Sequence, residues 1–102
     1  MLSIYMIMVC TKLETDCDGI PDFGSTKIVG FFDTKEKAER VVLDNHCNIN
    51  EAFYKYAVIE RVNEGMYPSS VIRSFYMFDE AINTYRKIVE PKCLMGYAGL
   101  II

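Results

Sequence analysis

The segment from Leu2 to Thr11 constrains the fold more than any other part of the sequence, because it is apolar on both sides of an extended chain. Side chains in a strand alternate between two faces. One face carries Ile4, Met6 and Met8, and the other carries Tyr5, Ile7 and Val9. A strand that is apolar on both faces is typical of the interior of a sheet that is covered on both sides. We therefore predict a central strand here.

The same segment is not expected to cross a membrane or to direct secretion. A membrane-spanning helix needs about 20 consecutive apolar residues, and Lys12 and Glu14 interrupt the run before that length. The opening also lacks the basic region and the small-residue cleavage site of a secretory signal. We expect a cytoplasmic protein with reduced thiols. The cysteines are Cys10, Cys17, Cys47 and Cys93.

Three further segments are rich in β-branched and aromatic residues, which is typical of strands. They are Thr26 to Phe32, Phe53 to Val62 and Val71 to Phe78. The last two are joined by a turn segment and are expected to form an antiparallel pair.

A short helix is predicted between the second and third strands. Asp33 with Glu36 three residues later is typical of a helix N-terminus, in which Asp33 is the N-cap and each side chain can satisfy a backbone N–H. Ala38, Val41 and Val42 then recur at helical spacing. We expect the asparagine-rich residues that follow Leu43 to end the helix after about three turns, because asparagine tolerates left-handed backbone.

These elements predict a single α+β domain over residues 1–102. A strand, a helix and a strand in succession usually form a right-handed crossover between strands that run parallel. The first strand fits between those two, antiparallel to both, which gives the strand order 2-1-3-4. We therefore predict a mixed, mainly antiparallel sheet with one short helix packed on one face.

The segment 79–90 admits two interpretations. Ile82, Tyr85, Ile88 and Val89 fit one stripe of a helix, whereas Thr84 to Val89 also fits an edge strand that Pro91 ends. We predict a C-terminal hairpin, with the helix as the alternative.

Charge and motifs argue against several classes of function. The net charge is -3 and the isoelectric point is about 5.1, whereas proteins that bind the phosphate backbone present clustered lysine and arginine. The sequence contains no nucleotide-binding or hydrolase motif, and any histidine-dependent mechanism would need the single histidine, His46. We predict a protein that is not an enzyme, uses no cofactor and binds neither nucleic acid nor membranes.

The acidic segment 14–25 comes nearest to a motif. Its carboxylates overlap the ligand spacing of a twelve-residue calcium loop, and Gly19 stands in the sixth place. Those carboxylates are Glu14, Asp16, Asp18 and Asp22. The twelfth position is Ser25 rather than glutamate, and the flanking segments are strands rather than helices. We predict a solvated connection between strands, with ligand or calcium-type metal binding as the alternative.

Aromatic residues supply the candidate interface. One short helix can cover only part of one sheet face, so the other face needs the C-terminal segments or another subunit. The candidate contact residues are Tyr54, Tyr56, Phe75, Tyr76 and Phe78. The alternative is that they fill the core of the monomer. We predict a small interaction or accessory protein that forms a homodimer or another homo-oligomer, or binds another protein, through an aromatic sheet face.

Several short motifs carry a resemblance. An acidic loop with PDFG at 21–24 leads to VGFF at 29–32, and a capped helix precedes YAVIE at 56–60 and an EGxYP turn at 64–68. In these features the chain resembles a family of small bacterial and phage-associated proteins of unknown function. The similarity extends from the first strand to Glu90 and Pro91. It implies a further hairpin after the fourth strand, and it implies no activity, cofactor or catalytic residue.

Overall fold

The computed structural model describes residues 3–15, 21–64 and 72–91. The strands in these residues are β1 (Ser3–Cys10), β2 (Glu14–Thr15), β3 (Pro21–Asp22), β4 (Thr26–Phe32), β5 (Tyr56–Asn63), β6 (Arg73–Asp79) and β7 (Thr84–Ile88). One helix, α1 (Lys35–Leu43), follows β4, and a short 3-10 turn covers His46–Asn48.

Five strands form one antiparallel sheet in the order β4-β1-β5-β6-β7, and β2 pairs with β3 separately. This arrangement confirms the predicted α+β fold, the predicted order of the first four long strands and the helix on one face of the sheet. The strand that is apolar on both sides, β1, lies between β4 and β5 and contributes buried residues to both faces.

The C-terminal hairpin is also confirmed, because β7 pairs antiparallel with β6. Asp79 shapes the connecting turn. Its carbonyl oxygen accepts a hydrogen bond from the Asn83 N–H at 2.8 Å, and its side chain accepts one from the Ala81 N–H at 2.9 Å. Asn83 adopts a left-handed backbone with φ of 58°. These turn contacts explain why the segment forms a hairpin rather than the alternative helix.

The helix N-cap lies one residue later than predicted. Thr34, not Asp33, is the N-cap, and its hydroxyl accepts a hydrogen bond from the Lys37 N–H at 3.3 Å. Asp33 instead accepts a hydrogen bond from Lys37 Nζ at 2.9 Å, and this contact lowers the pKa of the Asp33 carboxyl. Both residue types are good N-caps, so the sequence pattern left two adjacent choices.

Helix α1 covers one face of the sheet, where the larger core cluster lies. The buried members of this cluster are Ile7, Val9, Ala38, Val42, Ile49, Ala57, Ile59, Tyr76 and Tyr85. Burial of this apolar surface is the main source of stability in a small domain. No helix in the described ranges is long and apolar enough to cross a membrane.

The opposite face carries a second buried cluster formed by Met8, Cys10, Val58 and Phe75. A buried ionic contact between Glu60 and Arg73 lies beside this cluster. The two residues are cross-strand partners, and they stand on the same face as Val58 and Phe75. Arg73 Nη1 lies 3.9 Å from Glu60 Oε2, and Arg73 Nε also binds Glu90. Only 1% of the Glu60 side chain is exposed, so the fold depends on these polar contacts to hold a charge in the interior.

Candidate functional site

A cleft of about 620 Å³ lies at the end of the sheet where β5 begins and β6 ends. Its volume falls within the roughly 300–1,000 Å³ that is typical of ligand sites. One wall comes from the loop before β5, and the other comes from the end of β6 and the turn that follows. The lining residues are Asn50, Ala52, Phe53, Tyr54, Lys55, Phe78, Glu80 and Asn83.

The loop before β5 has an unusual backbone. Left-handed φ values occur at Asn45, Cys47, Asn48, Glu51 and Ala52, where they range from 45° to 56°. Asparagine tolerates this region, but Glu51 and Ala52 do so at a cost in conformational free energy. Such strain persists only where the surrounding structure enforces it, and it is concentrated at functional sites.

Two asparagines brace this strained loop. Asn45 Nδ2 donates a hydrogen bond to Asn50 Oδ1 at 2.9 Å, and the Asn50 N–H donates one to Asn45 Oδ1 at 3.1 Å. The Asn50 carbonyl oxygen then accepts hydrogen bonds from the backbone N–H groups of Phe53 and Tyr54 at 2.8 and 2.7 Å. Outside this network, Lys27 Nζ lies 2.8 Å from Glu51 Oε2 and ties the loop to β4.

The two walls of the cleft are joined to each other. The Phe78 N–H donates a hydrogen bond to the Lys55 carbonyl oxygen at 2.7 Å, and the Tyr85 hydroxyl donates one to the Tyr54 carbonyl oxygen at 2.7 Å. The Phe78 and Tyr85 rings pack edge to face with centroids 5.2 Å apart. Burial raises the pKa of Tyr85 above its ordinary value of 10.0, so its hydroxyl remains a hydrogen-bond donor into alkaline solution. The cleft is therefore preformed.

Phe53 is a large and exposed apolar side chain in the lining of the cleft. Its ring lies 5.1 Å from that of Tyr54 between centroids, yet 58% of the residue is exposed. Around the aromatic groups, Asn50 and Asn83 offer both hydrogen-bond donors and acceptors. Lys55 and Glu80 add one charge of each sign. Among the described residues that line the cleft there is no histidine or cysteine, and their chemistry suits recognition by contact and hydrogen bonding.

The five predicted interface aromatics do not share one face. Tyr54 and Phe78 line the cleft, whereas Phe75 and Tyr76 are buried on opposite faces of the sheet. Tyr56 packs on the face opposite α1. Adjacent residues of a strand point to opposite faces, which is why a run such as Phe75 to Phe78 cannot present all its rings to one partner.

The acidic segment is described only at its ends. Glu14 and Asp22 are cross-strand partners in the β2–β3 pair, and Lys12 Nζ lies 3.8 and 3.6 Å from their carboxylates. Asp16 and Asp18 lie outside the described residues. Within the described ranges, no three histidine, cysteine, aspartate or glutamate residues converge as metal ligands. Calcium-type binding at this segment stays a prediction.

Two of the four cysteines are placed, and both are free thiols. Cys10 is buried in the second cluster, and burial raises the pKa of its thiol from 9.0 to about 12. Cys47 is exposed beside His46 on the 3-10 turn, and neither residue lines the cleft. Cys17 and Cys93 lie outside the described residues.

Most of the cleft was missed by sequence reasoning. Phe53, Lys55 and Glu80 stand in no recognised motif, whereas Tyr54 and Phe78 are among the predicted interface aromatics and the asparagine-rich segment after α1 gives a further signal. That segment was interpreted as a helix end, although several asparagines in succession also permit a left-handed loop.

Neither a protein-family model, nor a curated protein, nor a solved structure matches the chain.

Proposed function

We propose that this protein is a small non-enzymatic interaction domain that binds a segment of a protein partner in the aromatic cleft. The exposed ring of Phe53 carries the proposal, because it stands on a strained and heavily braced loop above a cleft of about 620 Å³. Aromatic residues are enriched at the centres of protein interfaces. A partner that covers Phe53 would remove a large apolar surface from water.

The lining favours a peptide segment over a nucleotide or another anion. Lys55 is the one cation among the described residues of the cleft wall, and Glu80 adds a negative charge. The amides of Asn50 and Asn83 match the donors and acceptors of a peptide backbone. We infer that the partner inserts an apolar or aromatic side chain between Phe53 and Phe78 while its backbone bonds to the amides.

The free thiols favour a cytoplasmic setting. Cys47 is exposed and free, and such thiols stay reduced in the cytoplasm. We propose that the domain acts there.

A peptide selection tests the proposed function. A displayed library of random peptides is selected on the wild-type protein, and the affinity of each selected peptide is measured by fluorescence anisotropy. We expect Phe53→Ala to weaken binding about tenfold or more, since losing a central aromatic contact usually costs at least 1–2 kcal/mol.

Phe31→Ala is the matched control, because Phe31 is a similarly exposed phenylalanine on β4, away from the cleft. Its affinity for the same peptides should equal that of the wild type. The proposal fails if no peptide is enriched, or if the selected peptides bind Phe53→Ala as tightly as the wild type.

A further inference from the structure

We propose that the cleft binds one class of partner segment, in which an apolar residue lies between an acidic and a basic side chain. The acidic side chain of the segment contacts Lys55, and its basic side chain contacts Glu80. This inference rests on the proposed function, because it names the sequence class that the cleft would bind. Lys55 stands on the wall formed by the loop before β5, and Glu80 stands on the wall formed by the turn after β6. Both residues are exposed, so a bound segment can reach both charges.

The charges next to the cleft lining are already paired. On the loop wall, Glu51 Oε2 lies 2.8 Å from Lys27 Nζ. On the turn wall, Asp79 Oδ2 lies 3.6 Å from Arg86 Nε. Across the part of the chain that the structure describes, the two charges of the lining itself form no ion pair, either with each other or with a neighbour. The lining therefore presents one positive and one negative group that a partner can pair with.

The two walls carry the same pattern with opposite charge. Lys55 follows Phe53 by two residues, and Glu80 follows Phe78 by two residues. The walls are joined by the hydrogen bond from the Phe78 N–H to the Lys55 carbonyl oxygen at 2.7 Å. Each wall thus combines one aromatic ring with one charged group. A segment whose apolar residue contacts both rings has its flanking side chains beside charges of opposite sign.

These charges are expected to determine which segments bind more than how tightly they bind. Exposed ion pairs contribute little free energy, whereas like charges brought together exclude the wrong partner. A segment with the reversed order of charges would set its basic side chain against Lys55 and its acidic side chain against Glu80. We therefore expect Phe53 to supply most of the affinity and the two charges to supply the choice of sequence.

The peptide selection is repeated on Lys55→Glu/Glu80→Lys, which exchanges the two charges and keeps the net charge of the chain. Peptides selected on the wild type should carry an acidic and a basic residue on opposite sides of an apolar one, in a fixed order. Peptides selected on the exchanged variant should carry them in the reverse order. Each set should bind the other protein about fivefold or more weakly, because two exposed ion pairs are replaced by repulsion.

Glu36→Lys/Arg40→Glu is the matched control, because it exchanges two exposed charges on α1 that do not line the cleft. It should bind the wild-type peptides unchanged. Circular dichroism spectra establish that all variants are folded. The charge proposal is overturned if the selected peptides depend on Phe53 but show no order of charges, or if the exchanged variant binds them as tightly as the wild type. Peptides that bind Phe53→Ala undiminished overturn the proposed function instead, so the two failures are distinguishable.

Discussion

The hydroxyl of Tyr76, in the middle of the sheet, donates a 2.6 Å hydrogen bond to Glu39 Oε2 on α1. Tyr76 is buried in the core cluster beneath the helix, and Lys87 Nζ approaches the same carboxylate at 3.9 Å. Burial, followed by the hydrogen bond to Glu39, raises the pKa of Tyr76. The helix is thus tied to the sheet by a bond to a charged acceptor, in addition to apolar packing.

Removing this hydroxyl should destabilise the fold without changing its core. Hydrogen bonds to charged groups contribute about 1.5–3 kcal/mol, and Glu39 is partly exposed, so we expect Tyr76→Phe to lower the free energy of unfolding by about 1–2 kcal/mol. Urea denaturation measures the change. Glu39→Gln keeps an acceptor oxygen and should lose less. Equal stability of Tyr76→Phe and the wild type would show that packing alone holds the helix.

Substitution of Arg73 should lower the free energy of unfolding far more than substitution of an exposed arginine in the same sheet. Arg73→Leu removes the buried guanidinium that lies 3.9 Å from Glu60 Oε2 and also binds Glu90, and we expect a loss of about 3–5 kcal/mol. Arg86→Leu is the matched control, because Arg86 is half exposed and lies 3.6 Å from Asp79. We expect it to change stability by less than about 0.5 kcal/mol. Similar losses for the two variants, measured by urea denaturation, would contradict the importance of the buried pair.

Much of the sheet could be predicted because its strands carry local patterns. The doubly apolar segment of β1 fixed its central place, and the handedness of the crossover then placed β4 and β5 on either side of it. The helix N-cap lies one residue later than predicted, because Asp33 and Thr34 are both residue types that can cap a helix. These are consequences of residue type and spacing, which a sequence displays directly.

The cleft could not be predicted in the same way, because it depends on contacts between distant residues. The bond from Phe78 to Lys55 and the bond from Tyr85 to Tyr54 exist only once β5, β6 and β7 have paired. Nothing in the local sequence indicates that Glu51 and Ala52 adopt left-handed backbone. The alternation of side chains along a strand does not show which of two apolar sheet faces the helix will cover. The predicted interface aromatics therefore lie on both faces of the sheet.

Stability should fall in alkaline solution, and Cys10 should begin the decline. Burial raises the pKa of its thiol from 9.0 to about 12, so the unfolded chain releases this proton at lower pH than the folded protein does. The resulting stabilisation is complete below pH 9.0 and is lost towards pH 12, by about 1.4 kcal/mol for each pH unit. Tyr76 and Tyr85, whose pKa values are raised from 10.0, add to the decline above that pH.

Urea denaturation at successive pH values measures this slope. Cys10→Ala should flatten the decline between pH 9.0 and 10.0, before the tyrosines contribute. Cys47→Ala removes an exposed thiol instead and should keep the wild-type slope. A decline that is unchanged in Cys10→Ala would assign the effect to other groups.

The strained loop of the cleft yields a prediction in which stability and binding change in opposite directions. Ala52 has φ of 54°, and a left-handed backbone costs a non-glycine residue about 1–2 kcal/mol, whereas glycine sacrifices about 0.5–1 kcal/mol of chain entropy. Ala52→Gly should therefore raise the free energy of unfolding by about 0.5–1 kcal/mol. Ala81→Gly is the matched control, because Ala81 is exposed in a turn without a left-handed φ, and it should lower stability by a similar amount.

The glycine at position 52 also makes the backbone of the cleft wall that carries Phe53 more flexible, so peptides selected on the wild type should bind Ala52→Gly several-fold more weakly. If Ala52→Gly and Ala81→Gly were equally destabilising in urea, the loop would store no strain.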